Sequence, residues 1–302
     1  MSDQAILATW VSTPKEQAYA RLLIESIRAF GGWLSQCPIL LFEGDPQNAP
    51  CAELAALDNV QLHPLTVPDA LKRYILADKV CACAQAEALA GPEVRSLIWF
   101  NPDCFVIQSP DLFNLASPDE NGMTYDIAIR PVHVKNVGLL ASEPVDRFWR
   151  KVYATAGVDD VPFIVESYVD GQRIRAYFNT HTFAVNPAMG LFHRWLDDFT
   201  ALVKDQAFQE EACRDIVHQI FLHQAILSAL IVTMLPAERI RLLPPDYSYP
   251  YNLQHAIPPE QRAQVLNDLV CIANEERPMH PDAVTDIAIH EPLRTWLTAH
   301  VR

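Results

Sequence analysis

The first hundred residues alternate short apolar runs with helix-like stretches, and this alternation restricts the fold more than any other feature. Four runs are typical of buried strands and fall at Ala5–Val11, Pro38–Phe42, Val60–His63 and Leu97–Phe100. The first intervening helix begins at Ser12-Thr13-Pro14, where a capping residue precedes a proline. Repeated βα units of this kind predict an α/β fold with a mainly parallel, doubly wound sheet and helices on both faces.

The later part of the chain adds signals of antiparallel pairing. The runs Ile164–Val169 and Gln172–Tyr177 are joined by Asp170-Gly171, which predicts a hairpin with a type I′ turn and hence a mixed sheet. Val270–Ala273 and Ile287–Ile289 predict a last pair of strands. No repeat or linker divides the chain, so we expect one domain over residues 1–302.

A proline- and tyrosine-rich segment, PPDYSYPYNL at Pro244–Leu253, has too many prolines for regular structure. It is long enough to form a binding loop. If its aromatic rings are exposed, they can stack on a ligand or pack on a partner subunit.

Composition excludes several classes of protein. The formal net charge of −14 argues against nucleic acid as a partner. The most apolar stretch, Ile216–Leu235, is interrupted by His218-Gln219 and His223-Gln224, so we expect no transmembrane segment. No secretory signal is visible, and the seven cysteines are scattered without a metal or redox spacing. We therefore expect a cytoplasmic protein with reduced core thiols.

The stretch SLIWFNPDCFVIQSPDLF, from Ser96 to Phe113, is the main candidate for chemistry. A buried strand ends there at Asn101-Pro102-Asp103, and open α/β sheets bind ligands at the carboxyl ends of their strands. A strand, a turn and a helix cap without any chemistry is the alternative. No GxGxxG or GxxxxGK[ST] motif follows the first strand, which removes the main support for dinucleotide or P-loop binding.

Five segments taken in chain order resemble the glycosyltransferases of the GT-A fold, family 8 in particular. They are WFNPDCFVIQSPDLF for the D-x-D turn, YFNTHTFAVNPAMGLFHRW, FLHQAILSAL, LLPPDYSYPYNL and HEPLRTW. The resemblance extends from Ala5 to Leu297. It implies a nucleotide-binding half, 1–115, and an acceptor half with a closing C-terminal segment, 116–302.

The resemblance also implies a divalent metal, Mn²⁺ or Mg²⁺, that bridges the donor diphosphate to the protein. Asp103 matches the second D-x-D carboxylate, Asn101 stands at the first, and His290 matches the C-terminal histidine. Hard oxygen ligands and one imidazole suit either ion. A bound cation would stabilise the charge that develops on the departing nucleoside diphosphate.

Further residues correspond to donor and acceptor positions of that family. Arg294 stands where a lysine meets a phosphate, and Thr9 and Trp10 stand at the base-binding position, although Trp10 can equally be a core residue. Lys79 matches a basic position near the nucleotide, with a solvated surface lysine as the alternative. The positions lining the sugar and acceptor side are Asn179, His223 and Gln224.

Four departures remove or misplace charge around the expected metal. Asn101 replaces a carboxylate, Pro102 replaces a small or polar residue, His223 replaces an acid, and Glu291 replaces a glycine. The leading hypothesis is a glycosyltransferase that moves a sugar from a nucleotide donor, most simply a UDP-sugar, to a hydroxyl acceptor. The alternative is a catalytically degenerate nucleotide-sugar-binding or interaction protein of the same fold. A sugar nucleotidyltransferase is disfavoured because no glycine-rich basic loop follows the first strand.

Overall fold

The computed structural model describes residues 4–301. A seven-stranded sheet forms its centre, in the order β10-β6-β9-β4-β1-β2-β3. Its strands are β1 (Ala5–Val11), β2 (Ile39–Glu43), β3 (Val60–Pro64), β4 (Ser96–Phe100), β6 (Ile127–Ile129), β9 (Thr182–Val185) and β10 (Ile240–Leu242). Four of the neighbouring pairs are parallel, whereas β9 runs antiparallel to both β4 and β6. The predicted mixed, mainly parallel sheet is therefore confirmed.

Two smaller sheets complete the β structure. The first, in the order β11-β12-β5, consists of Tyr249–Pro250 (β11), Cys271–Ala273 (β12) and Cys104–Val106 (β5). The second is the predicted hairpin of β7 (Ile164–Glu166) and β8 (Arg173–Arg175). The hairpin is separate from the central sheet, so the antiparallel element of that sheet is β9. Its turn is not type I′, since only Gly171 has a positive φ within it.

Helices cover both faces of the central sheet, as expected. They are α1 (Pro14–Phe30), α2 (Ala52–Ala55), α3 (Ala77–Leu89), α4 (Arg147–Ala156), α5 (Leu191–Lys204), α6 (Gln206–Glu211), α7 (Ile216–Met234) and α8 (Leu293–His300). Along β4, Leu97 and Trp99 join the core beneath α3, α5 and α7, while Ile98 and Phe100 join the core beneath α1. This alternation is the two-residue period of a strand buried on both faces.

Helix α7 is long and apolar enough to cross a membrane, but more than half of that stretch is buried within the protein. It packs against α4 and α5 and supplies Leu222 and Leu230 to the main core. A core helix of a globular domain has this composition when it is surrounded on several sides.

The tyrosines of the Pro244–Leu253 segment are buried, which corrects the expectation of exposed stacking rings. Tyr247, Tyr249 and Tyr251 are each at most 4% exposed. Their segment is held by Arg130, whose Nη1 lies 2.8 Å from the carbonyl oxygen of Pro245 and also contacts those of Tyr247 and Ser248. The segment is a structural part of the core, not an open loop.

The Arg130→Met variant is expected to lose about 3 kcal/mol of unfolding free energy, because burying three carbonyl groups without a donor is costly. Arg130 is 3% exposed, and burial lowers its pKa to about 10. Urea unfolding measures the loss. Arg241→Met is the matched control: Arg241 also donates to a carbonyl and stacks on a tyrosine, but it is half-buried, so we expect about 1 kcal/mol. Equal losses in the two variants would contradict this account.

Candidate active site

A cavity of about 400 Å³ opens where β1 and β4 end. It is bounded by Trp10 of β1, by the first turn of α1, by the Asn101-Pro102-Asp103 turn and by Glu275 and Glu276 after β12. The chain proceeds from β1 to β2 and β3 on one side and then crosses to β4 on the other. This reversal of strand order is where doubly wound sheets bind ligands.

Asp103 lies at the base of this cavity. Its Oδ1 atom is buried and has no hydrogen-bond partner. Burial raises the pKa of this carboxyl, while the nearby His181 and Lys79 partly oppose the effect. A buried carboxylate oxygen without a protein partner is energetically costly unless a ligand satisfies it.

Lys79 is a buried cation behind the turn, so the alternative of a solvated surface lysine is wrong. The residue is 1% exposed, and its Nζ donates to the carbonyl oxygen of Thr180. Burial lowers its pKa to about 8, and the negative charge of Asp103 partly opposes this shift. It therefore supplies fixed positive charge close to Asp103.

The three residues expected on the sugar and acceptor side lie together next to Thr180. The hydroxyl of Thr180 is 3.1 Å from His223 Nε2 and 3.4 Å from Gln224 Oε1, and Asn179 directly precedes it. His223 Nδ1 donates to the carbonyl oxygen of Ile220, so its Nε2 is an acceptor. Burial and the charge of Lys79 lower the pKa of His223 well below 6.5, so this imidazole is neutral.

His181 is a site residue that the sequence reasoning did not identify. Its backbone N–H donates to Asn179 Oδ1 at 2.8 Å, and its ring Nδ1 lies 3.0 Å from the same oxygen. Its Nε2 lies 2.8 Å from the Glu275 carboxylate. Since both ring nitrogens face acceptors, the ring is an imidazolium. Burial alone would lower its pKa, but the contact with Glu275 outweighs burial and raises it. The histidine in YFNTHTF, directly before a buried strand, was the available signal.

The structure does not bring His290 and Arg294 to the Asp103 turn. His290 is exposed and pairs with Asn267, whose carbonyl oxygen accepts from Gln108. Gln108 lies beyond the far end of β5, about 16 Å along the strand from Asp103. Arg294 pairs with Asp282, 3.3 Å away, and does not line the cavity.

Strand β12, rather than the HEPLRTW segment, is the part of the C-terminal region that reaches the turn. The backbone N–H of Asn274 donates to the carbonyl oxygen of Asp103 at 2.9 Å. The run Ile287–Ile289 forms only a single bridge, between Ala288 and Val265, in place of the predicted strand. The pairing of β12 with β5 therefore determines which residues face Asp103.

Trp10 has both of its predicted environments, whereas Thr9 does not lie at the predicted base-binding position. Trp10 lines the cavity and also stacks on Trp99, with ring centroids 5.5 Å apart. Thr9 is buried on the other face of β1, does not line the cavity, and has a hydroxyl without a partner. Adjacent residues of a strand point to opposite faces, so only one of the two can reach the ligand side.

The residues at the turn supply few of the ligands that a divalent ion needs. Among residues 4–301, no three His, Cys, Asp or Glu side chains are grouped to hold a metal. Asn101 Oδ1 already accepts from Trp99 Nε1 at 3.1 Å. The unpartnered Oδ1 of Asp103 remains. A single carboxylate, that of Asp103, suits an ion such as Mg²⁺ that is held mainly by substrate phosphates and water.

No family model and no curated protein sequence matches the chain, but many solved structures resemble it, and two of them do so over nearly its whole length. Galactosyltransferase LgtC, in complex with donor and acceptor sugar analogs, matches 98% of this chain and 96% of its own, at 12% identity and a TM-score of 0.54. Mouse xyloside xylosyltransferase 1, in its apo form, has 14% identity and covers 91% of this chain and 99% of its own, with a TM-score of 0.48. The former match, together with the sheet order and helix placement, shows that this chain has the GT-A-like α/β fold of galactosyltransferase LgtC.

Proposed function

We propose that this protein transfers a sugar from a nucleotide-diphosphate donor to a hydroxyl acceptor. The observation that carries the proposal is the Asp103 carboxyl group, which lines a cavity at the strand-order reversal of a GT-A-like sheet and has a buried Oδ1 atom without a hydrogen-bond partner. The cavity is polar at Asp103 and has an aromatic wall at Trp10, which suits a diphosphate joined to a nucleoside.

Each cluster near the cavity has a distinct role in this proposal. Asp103 would hold a divalent ion, Mn²⁺ or Mg²⁺, that arrives with the diphosphate. When bound, that ion supplies positive charge to the departing phosphates. Lys79 supplies a second, fixed positive charge from behind the turn. Asn179 and Gln224 would orient the donor sugar or the acceptor, and neutral His223 would hold the hydroxyl of Thr180 by accepting its hydrogen bond.

Titration calorimetry with UDP, in Mn²⁺ and in EDTA, tests donor binding. We expect saturable binding that is stronger in Mn²⁺, because a donor-borne ion gains the Asp103 oxygen as a ligand. UMP, which has one phosphate fewer, serves as the control and is expected to bind more weakly. If neither UDP nor any other nucleoside diphosphate binds, the proposal fails.

Release of UDP from UDP-glucose and UDP-galactose separates an enzyme from the degenerate alternative. We expect slow release with water as acceptor and faster release with a sugar acceptor, since the acceptor hydroxyl completes the site. A protein that binds UDP but never releases it from either donor would have kept the fold and lost the reaction.

A further inference from the structure

Two acidic residues beside the cavity are paired with two positively charged residues. Glu276 forms an ion pair with Lys15 in the first turn of α1, and Glu275 contacts the imidazolium of His181. Lys15 and both glutamates line the cavity, and His181 lies close enough to Asp103 to affect its charge. The positive charges of Lys15 and His181, unlike that of Lys79, are thus already paired with carboxylates.

The two contacts differ in how much solvent they retain. The side chains of Lys15 and Glu276 are 54% and 71% exposed, so water and salt screen this pair strongly. Those of His181 and Glu275 are 21% and 38% exposed. Exposed pairs contribute little net free energy, and a diphosphate offers either cation more negative charge than one carboxylate does.

The backbone that carries the glutamates is unusual. Glu275 and Glu276 have φ values of 43° and 76°, in the left-handed region that residues with a Cβ rarely adopt. Asn274 anchors the segment to the carbonyl oxygen of Asp103, and Asn252 donates to Glu275 at 2.6 Å. Such conformations persist only where surrounding contacts hold them, and they cluster at ligand-binding segments.

We propose that Glu275 and Glu276 pair with the positively charged side chains of His181 and Lys15 until the donor diphosphate binds. The diphosphate then replaces the two carboxylates in these contacts. The inference rests on the proposed function and assigns two phosphate-binding residues to it. Binding exchanges carboxylate–cation contacts for phosphate–cation contacts and moves the two glutamates away from the anion. The carboxylates therefore oppose donor binding, although they lie in the donor site.

The Glu276→Gln variant tests the proposal through a gain of affinity. Removal of this charge is expected to tighten UDP binding about three- to tenfold, with the larger effect in EDTA, where no metal offsets the phosphate charge. Glu211→Gln is the matched control: Glu211 pairs with Arg147, is 66% exposed, and lines a different surface groove, so the change in net charge is the same. The control is expected to leave the affinity unchanged.

A double-mutant cycle shows whether Glu276 acts through Lys15. Lys15→Met is expected to weaken UDP binding about three- to tenfold, and Glu276→Gln in that background is expected to restore clearly less than it gains alone. The same cycle with Glu275→Gln and His181→Gln, again measured as UDP affinity, tests the contact between Glu275 and His181.

The failures of this inference and of the proposed function are distinguishable. If the wild type binds UDP and Glu276→Gln binds it equally or more weakly, the inference alone is overturned. If the variant binds UDP more weakly only in Mn²⁺, the inference is again overturned, and Glu276 helps to hold the metal instead. Absence of nucleoside diphosphate binding by the wild type and by every variant overturns the proposed function, and the inference with it.

Discussion

Replacing Asp103 by asparagine is expected to weaken Mn²⁺-dependent UDP binding at least about a hundredfold while the protein stays folded. Asparagine keeps the shape of the side chain but removes the charge of the Asp103 carboxylate, which lines the cavity and has a buried oxygen without a hydrogen-bond partner. Because burial raises the pKa of Asp103, the charged carboxylate is not favoured by folding. The unfolding free energy should therefore stay within about 1 kcal/mol of wild type. Calorimetry and urea unfolding measure the two quantities.

Asp126→Asn is the matched control for this result. Asp126 pairs with Arg239 at 2.7 Å and accepts from Asn186, remote from the cavity. Its loss is expected to lower stability and leave UDP binding unchanged. If the Asp103→Asn variant binds UDP in Mn²⁺ as tightly as the wild type does, Asp103 does not hold the metal ion. The Asn101→Asp variant restores the missing D-x-D carboxylate. If this variant hydrolyses the donor and the wild type does not, the wild-type site is catalytically degenerate.

The protein is expected to lose about 3 kcal/mol of unfolding free energy between pH 7.5 and 5.5 through two buried histidines. His133 and His223 are 7% and 3% exposed, and burial lowers both pKa values well below 6.5. In the unfolded chain each imidazole takes up a proton near pH 6.5, whereas in the folded protein each stays neutral. The unfolded state therefore binds more protons below pH 6.5, and stability falls as the pH falls.

A variant isolates this effect from the titration of other groups. His133 has no hydrogen-bond partner for either ring nitrogen, so His133→Phe removes one titrating group without breaking a hydrogen bond. The difference in unfolding free energy between His133→Phe and wild type should grow by about 1.4 kcal/mol on going from pH 7.5 to 5.5. His181 contributes with the opposite sign: its pKa is raised, so its stabilisation is complete below pH 6.5 and is lost only as the pH rises. Parallel pH profiles for variant and wild type would contradict the prediction.

The local features of this fold could be predicted because their causes lie within a few residues of one another. Apolar runs and capping residues indicated β1 to β4 and the start of α1 to within a few residues. Thr13 and Glu16 form a capping box at the start of α1, which is a contact between near neighbours in sequence. The Asn101-Pro102-Asp103 turn was placed at a ligand site for a similar reason, since it ends a buried strand.

Boundaries were less certain where tertiary contacts compete with local preference. The helix-like pattern of Leu71–Leu89 predicts one long helix, whereas α3 starts only at Ala77, after Leu76 adopts a left-handed conformation. The pattern of Glu210–Met234 likewise predicts a single helix, whereas α6 ends at Glu211 and α7 begins at Ile216, where Asp215 caps it.

The identity of the residues that face Asp103 depends on contacts between distant parts of the chain. A histidine near the C-terminus was expected there, but the pairing of β12 with β5 places Asn274 and Glu275 beside the turn and leaves His290 near the other end of β5. His181 reaches the same place because β9 inserts between β4 and β6. Periodicity and capping thus specified the βα framework and the Asn101-Pro102-Asp103 turn, since those interactions are local. Strand partners more than fifty residues apart selected the charges around it, and no spacing within one segment encodes that choice.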